Sequence, residues 1–237
     1  MIGDAAPAGA WDAAALSPDL TALDDRFTVA FTDVEMPGGS CRIMHPRNAD
    51  DLISEADYVK DERLPYWADI WPSSLALARS FSSLSAQPGR VLELGCGLGL
   101  VTIAALRAGH DVMATDYYPD ALLFARRNAI AAVGRAPGTR MANWRHWPPD
   151  AGRFDVVVAS DVLYEPAYAG LVAGIISSSL VPDGVAFVAD PGRLALPAFL
   201  EACDQRGLDV TVRMQVPHHD GAIHQVITIH EIRIRVS

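Results

Sequence analysis

Val91-Leu92-Glu93-Leu94-Gly95-Cys96-Gly97-Leu98-Gly99, with the apolar run from Leu100 to Ala108 behind it, decides how this chain is read. A β-type hydrophobic segment carrying one acidic residue passes through three alternate glycines into a helix-like stretch. Glycines at those positions let the backbone turn sharply and approach a ligand more closely than any Cβ would allow. The spacing is Gly-x-Gly-x-Gly. It is not the Gly-x-Gly-x-x-Gly with which a helix N-terminus grips a dinucleotide pyrophosphate. Glu93 agrees with that distinction, because a carboxylate beside the turn suits a cationic ligand and repels a pyrophosphate.

The nonapeptide resembles motif I of the seven-strand S-adenosylmethionine-dependent methyltransferases. Outward from it, strand-type and helix-type segments alternate. Strands are predicted at 90–94, 111–115, 139–142, 154–160 and 184–190, and helices at 98–108, 120–133, 167–180 and 194–206. Runs such as Asp155-Val156-Val157-Val158-Ala159 are apolar at successive positions, as strands covered by helices on both faces must be. The alternation predicts a parallel sheet built from right-handed crossovers. Two long β runs, 208–216 and 225–236, joined by a polar His-rich turn, end the chain. A hairpin there inserts one antiparallel strand, which is the topology the resemblance implies. The fold class is therefore α/β: a Rossmann-like, mostly parallel seven-strand sheet with one antiparallel strand and helices on both faces.

Upstream, β-type runs at 27–31 and 40–44 flank Met36-Pro37-Gly38-Gly39, a hairpin signal. A charged helical stretch is expected at 49–58, and Ser73 is placed to cap a helix running to about Leu84. Residues 1–63 are read as a tail, hairpin and helical cap, and 64–237 as the methyltransferase-like domain.

Length and composition bound the function. At 237 residues, half of them hydrophobic and a fifth charged, the chain suits one sizeable soluble domain. A net charge of -10 argues against gripping nucleic acid, which needs a basic face. No 18-residue apolar run spans a membrane, and the Ala-rich start contains Asp4 and Asp12 with no basic region, unlike a signal peptide. Cys41, Cys96 and Cys203 are far apart and lack metal-ligand spacing, so they read as reduced thiols of a cytoplasmic protein. His218, His219 and His224 lack carboxylate or Cys partners in sequence and read as solvated loop residues, so no metal is expected. Oligomeric state is not encoded in any pattern here, and a monomer is compatible with it.

Candidate site residues follow the strand ends, where open α/β sheets bind their ligands. Asp116 closes the second strand, about 20 residues past the glycines, and either accepts both hydroxyls of a ribose or caps the helix that follows. Tyr117 either flanks an adenine or is a surface aromatic. Asn143-Trp144, ending the third strand, offers an amide for the adenine edge and a ring for stacking, or else a turn and a core residue. The resembled family often has an acidic residue before this Trp, so Asn143 departs from its pattern. Ser160-Asp161-Val162-Leu163-Tyr164 closes the fourth strand and matches the Asp-x-x-Tyr signature of family 16, mostly protein-lysine methyltransferases.

Other elements carry the same resemblance. Pro65-Tyr66-Trp67-Ala68-Asp69-Ile70-Trp71-Pro72 resembles the Trp-Pro element before motif I in lysine methyltransferases, including bacterial enzymes acting on electron-transfer flavoprotein. The resemblance puts Trp71 near the cofactor and Trp67 nearer the target. Asp190-Pro191-Gly192-Arg193 resembles the Asp-Pro-Gly-Arg of those enzymes, where Arg193 borders the acceptor pocket, although Pro-Gly is also strong turn chemistry.

The resemblance thus implies S-adenosylmethionine as cofactor, held by Trp71, Glu93, Gly95, Gly97, Gly99, Asp116, Tyr117, Asn143, Trp144 and Ser160. It implies Asp161 and Tyr164 as catalytic residues, with Trp67 and Arg193 toward the substrate. A carboxylate favours an ammonium over a free amine, so Asp161 is expected to orient an amine rather than to act as sole base. The expected acceptor is a protein lysine. A small-molecule N- or O-methyltransferase and a non-catalytic cofactor-binding subunit remain open alternatives.

Overall fold

The structure, a computed structural model, describes residues 23–52, 65–85, 87–220 and 223–236. The expected tail at 1–15 lies outside the described residues, as does the expected helix beyond residue 52, whose start, Ala49–Leu52, is a 3-10 turn. Strands β1 (Val29–Val34) and β2 (Cys41–Pro46) form the expected antiparallel hairpin. Helix α1 (Pro72–Leu84) leads into β3 (Arg90–Leu94), α2 (Leu100–Arg107), β4 (Asp111–Asp116), α3 (Pro119–Val133) and β5 (Gly138–Met141). Then come β6 (Phe154–Ser160), α4 (Tyr168–Ser179), β7 (Leu180–Asp190), α5 (Leu196–Asp204) and the hairpin β8 (Leu208–Asp220) with β9 (Ile223–Ile234).

The seven-stranded sheet has the order β5-β4-β3-β6-β7-β9-β8. Strands β3 to β7 pair in parallel, and β9 enters antiparallel between β7 and β8. Both faces of β6 are buried, for Val156 and Val158 join one core cluster and Val157 and Ala159 the other. One core holds Leu77 and Phe81 of α1, Ile103 of α2 and Phe124 of α3. The opposite core holds Val172 and Ile176 of α4 and Phe199 of α5. Each fully buried aliphatic or aromatic side chain contributes about 1.5–3 kcal/mol. The chain proceeds from β3 outward to β5, then returns to the other side of β3 with β6. The carboxyl ends of β3 and β6 are thus the switch point where such sheets open a crevice.

Two expectations need correction. Helix α1 starts at Pro72, with Trp71 at its cap position, because proline's fixed φ suits the first helical residue. Ser73 falls inside the first turn, buried, and does not cap. The His-rich turn is strand: β8 and β9 continue through it, with His219 opposite His224 and His218 opposite Gln225.

Asn128 of α3 joins the N-terminal hairpin to the glycine turn. Its side chain accepts the Met44 N–H at 2.9 Å and donates to the carbonyls of Met44 at 2.9 Å and Leu98 at 3.0 Å. The residue is buried, so Asn128→Ala leaves three backbone groups unpaired. The expected loss is about 3 kcal/mol in urea unfolding, since one unsatisfied buried group costs about 1–3 kcal/mol.

Candidate active site

The turn after β3 is left-handed at all three glycines, with φ of 68° at Gly95, 50° at Gly97 and 85° at Gly99. A Cβ on Gly99 would lie 2.9 Å from Ala125, and one on Gly97 would lie 3.1 Å from the Trp67 carbonyl oxygen. Protein atoms of α3 and of the segment before α1 therefore crowd these two glycines. Helix α2 leaves directly from Gly99, and a cleft of about 980 Å³, counting the solvent in its mouth, opens over the turn.

One half of the cleft is walled by Gly95, Gly97, Asp116, Tyr117, Asn143 and Trp144. Asp116 is buried beneath the turn, where its carboxylate accepts the N–H of Gly97 and the N–H of Tyr118, each at 3.0 Å. Burial raises its pKa, while the backbone donors counter that rise. With Tyr117 as a third backbone donor, the carboxylate's roughly four acceptor positions still leave room for a hydroxyl at the strand end. Asn143 caps the 3-10 turn Trp144–His146, accepting the Arg145 N–H at 3.0 Å. The Trp144 ring packs edge-on against Tyr168 at 5.1 Å between centroids.

The other half holds Ser160, Asp161, Tyr164, Trp71 and Tyr66. Asp161 is a non-glycine residue in the left-handed region, at φ 58°. Such backbone strain concentrates at functional sites. Its buried carboxylate accepts Ser73 Oγ at 3.0 Å on one oxygen and Arg193 Nε at 2.7 Å on the other. Tyr66 stands edge-on to Trp71 at 5.9 Å and to Tyr164 at 5.1 Å, and Tyr164 meets Tyr168 at 5.2 Å. An unbroken aromatic wall therefore runs from Trp71 to Trp144. Burial, with Tyr168 adjacent, pushes the Tyr164 phenol up, so it remains neutral.

Trp67 and Trp71 both line the cleft, Trp67 packing against Tyr118 and Phe124 with its backbone abutting Gly97, and Trp71 lying beside Tyr66 and Arg193. Glu93 is not on the cleft wall; it is buried under the turn, where it accepts the Thr102 hydroxyl of α2. Gly99 lies behind the wall, and Arg193 reaches the site through Asp161. Sequence reasoning missed Ser73, Tyr66 and Tyr168. The Tyr66-Trp67 pair held the only advance signal, an aromatic cluster next to a helix start.

Burial raises the Glu93 pKa to about 8 against a bonding contribution from Thr102, so near neutral pH the carboxyl is largely protonated. The folded state then retains a proton that the unfolded chain loses above its ordinary pKa of 4.5. Stability from this group is full below that value and falls until about 8, by at most about tenfold in the folding constant per pH unit. Glu93→Gln keeps an acceptor for Thr102 without the titration. Its melting temperature should gain on wild type as pH rises from 5 to 8, and pH-resolved thermal unfolding measures this.

Comparison with known proteins matches residues 71–234 to the model of a family described as methyltransferase domain. The electron transfer flavoprotein beta subunit lysine methyltransferase of Xenopus laevis is 32% identical over 133 residues, 54% of this chain and 53% of the relative. EEF1A lysine methyltransferase 3 of Mus musculus is 30% identical over 165 residues, 66% of this chain and 65% of the relative. The matched region thus spans less than two thirds of either relative. Among solved structures, ribosomal protein L11 methylase from Lactobacillus delbrueckii subsp. bulgaricus superposes with TM-score 0.52 at 21% identity, covering 69% of this chain and 78% of that one. The glycopeptide N-methyltransferase MtfA complexed with S-adenosylmethionine gives TM-score 0.55 at 18% identity, covering 70% and 96%. At those identities the structural likeness concerns the fold.

Proposed function

This chain belongs to the methyltransferase-domain family, and from that premise we propose that it is an S-adenosylmethionine-dependent methyltransferase whose acceptor is the side-chain amine of a protein lysine. The observation that carries the reading is the acceptor half of the cleft: a fixed carboxylate, Asp161, beside the faces and edges of Tyr66, Trp71 and Tyr164. A lysine side chain is a long apolar stem with a nitrogen at its tip, so its stem packs along an aromatic wall while the tip reaches a fixed acceptor. Asp69 and Glu165 add acidic groups to the lining. The lysine methyltransferases among the relatives support the same acceptor class.

In this reading the glycine turn admits the cofactor backbone-first, Asp116 accepts the ribose hydroxyls, and Tyr117, Asn143 and Trp144 enclose the adenine. Ser160 and Trp71 border the gap between cofactor and acceptor. The fit rests on the open space over left-handed glycines and on a buried acceptor carboxylate at the next strand end. When bound, S-adenosylmethionine would supply an activated methyl group for transfer to the acceptor nitrogen, its sulfur keeping the bonding electrons. The chain's own contribution is geometric. Asp161 and Tyr164 would hold the nitrogen toward that methyl group.

Asp116→Ala should weaken S-adenosylhomocysteine binding about 10- to 100-fold by calorimetry, the loss expected for hydrogen bonds to a charged group. Asp161→Ala should bind it within about threefold of wild type yet lose at least about 100-fold in turnover, as misplacement of a reacting atom does. For the acceptor, wild type is incubated with labelled cofactor and a soluble-protein extract, followed by peptide mass spectrometry. Label on lysine is expected; label confined to small molecules would overturn the lysine reading.

A further inference from the structure

Asp161 poses a problem for the chemistry proposed above. The transfer needs a nitrogen with its lone pair free, whereas lysine near pKa 10.4 is mostly protonated at neutral pH. An uncompensated carboxylate within reach stabilises the ammonium further, by about one to three pH units. The surroundings add to the difficulty. Asp116, Asp69 and Glu165 line the same cleft, and Asp190 lies close behind Asp161. Tyr164 and Tyr168 are phenols, and burial lowers the pKa of His230, which faces Asp190, so these groups bring no positive charge at neutral pH. Arg145 lines the cleft, on the 3-10 turn that carries Trp144.

Among the described residues, Arg193 is the cation that meets Asp161. Its Nε donates at 2.7 Å, and the carboxylate it pairs with is only 4% exposed. Trp71 backs the guanidinium, with the ring centroid 5.7 Å from Cζ. The turn that delivers it is set from below, because Asp190 Oδ1 accepts the N–H groups of Gly192 at 2.7 Å and Arg193 at 2.8 Å. Ser73 of α1 occupies the remaining carboxylate oxygen of Asp161 at 3.0 Å. Both oxygens are thus engaged by donors of the protein, one of them charged.

We propose that Arg193 is a positioning residue that neutralises Asp161, so that the site receives the acceptor nitrogen as a free amine. This rests on the amine-acceptor reading above. The ammonium proton goes to water before docking, and Asp161 then serves as a fixed, charge-balanced acceptor of one amine N–H. Asp190 acts one step further back, by shaping the Asp-Pro-Gly-Arg turn. Arg193 need not touch the acceptor at all.

The test uses the intact chain loaded with S-adenosylhomocysteine and Nα-acetyl-lysine amide as the probe, with binding followed by NMR between pH 7.5 and 9.5. Wild type should gain affinity for total probe by nearly tenfold per pH unit, as the free amine is populated. Arg193→Gln should flatten that gain to within about twofold across the range, because an unpaired Asp161 accepts the ammonium. Arg193→Lys should restore the slope, and so should the double variant Asp161→Asn with Arg193→Gln, in which there is no carboxylate to neutralise. Thermal unfolding checks each variant, and the double variant keeps the test available where the single one folds poorly. A wild-type slope in Arg193→Gln would overturn the proposal, as would a pH-flat wild type. A wild type that binds no probe at any pH would instead overturn the amine reading itself, and this proposal with it.

Discussion

The site is organised around one backbone constraint: the chain must turn left-handed three times between β3 and α2. A Cβ at Gly99 would force Ala125 of α3 to shift, and one at Gly97 would press on the Trp67 carbonyl. The turn is therefore clamped from two sides. Asn128 adds a third tie, holding the Leu98 carbonyl and the Met44 strand pair with one amide. The glycine turn, the hairpin and α3 are thereby tied into one packed unit.

Carboxyl groups divide the labour by environment. Glu93, sealed beneath the turn, has its pKa raised to about 8 and bonds Thr102. The electrostatic argument that singled it out in sequence gives way to a structural role, anchoring α2 to β3. Asp116 is also buried but faces the cleft and grips the turn through Gly97. Asp161 is strained in backbone and held at both oxygens. Three acids at strand ends thus differ in partner, and the partner decides what each can do.

Much of this was legible in the residues. Strands predicted at 90–94 and 154–160 coincide with β3 and β6, because a short apolar run buried on both faces has few other fates. Alternation and a terminal β pair were enough for the mixed sheet. The misreadings have physical causes. Ser73 looked like a cap because local sequence cannot reveal a partner 88 residues away. The His-rich segment looked like a turn because its polarity hides the strand alternation. Beyond these two, the sequence does not announce the 3-10 turn Tyr66–Ala68, which gives Trp67 and Trp71 different neighbours on the cleft wall. The aromatic wall joins residues from three separate segments and exists only once the sheet has formed.

The proposed cleft has two chemically distinct ends, a hydroxyl-accepting end at Asp116 and an amine-accepting end at Asp161, and a crystal structure with S-adenosylhomocysteine would distinguish them. The ribose should sit on Asp116, with the sulfur facing the gap between Ser160, Asp161 and Tyr164. A ligand whose ribose makes no contact with Asp116, or whose sulfur points away from Asp161, would contradict that division.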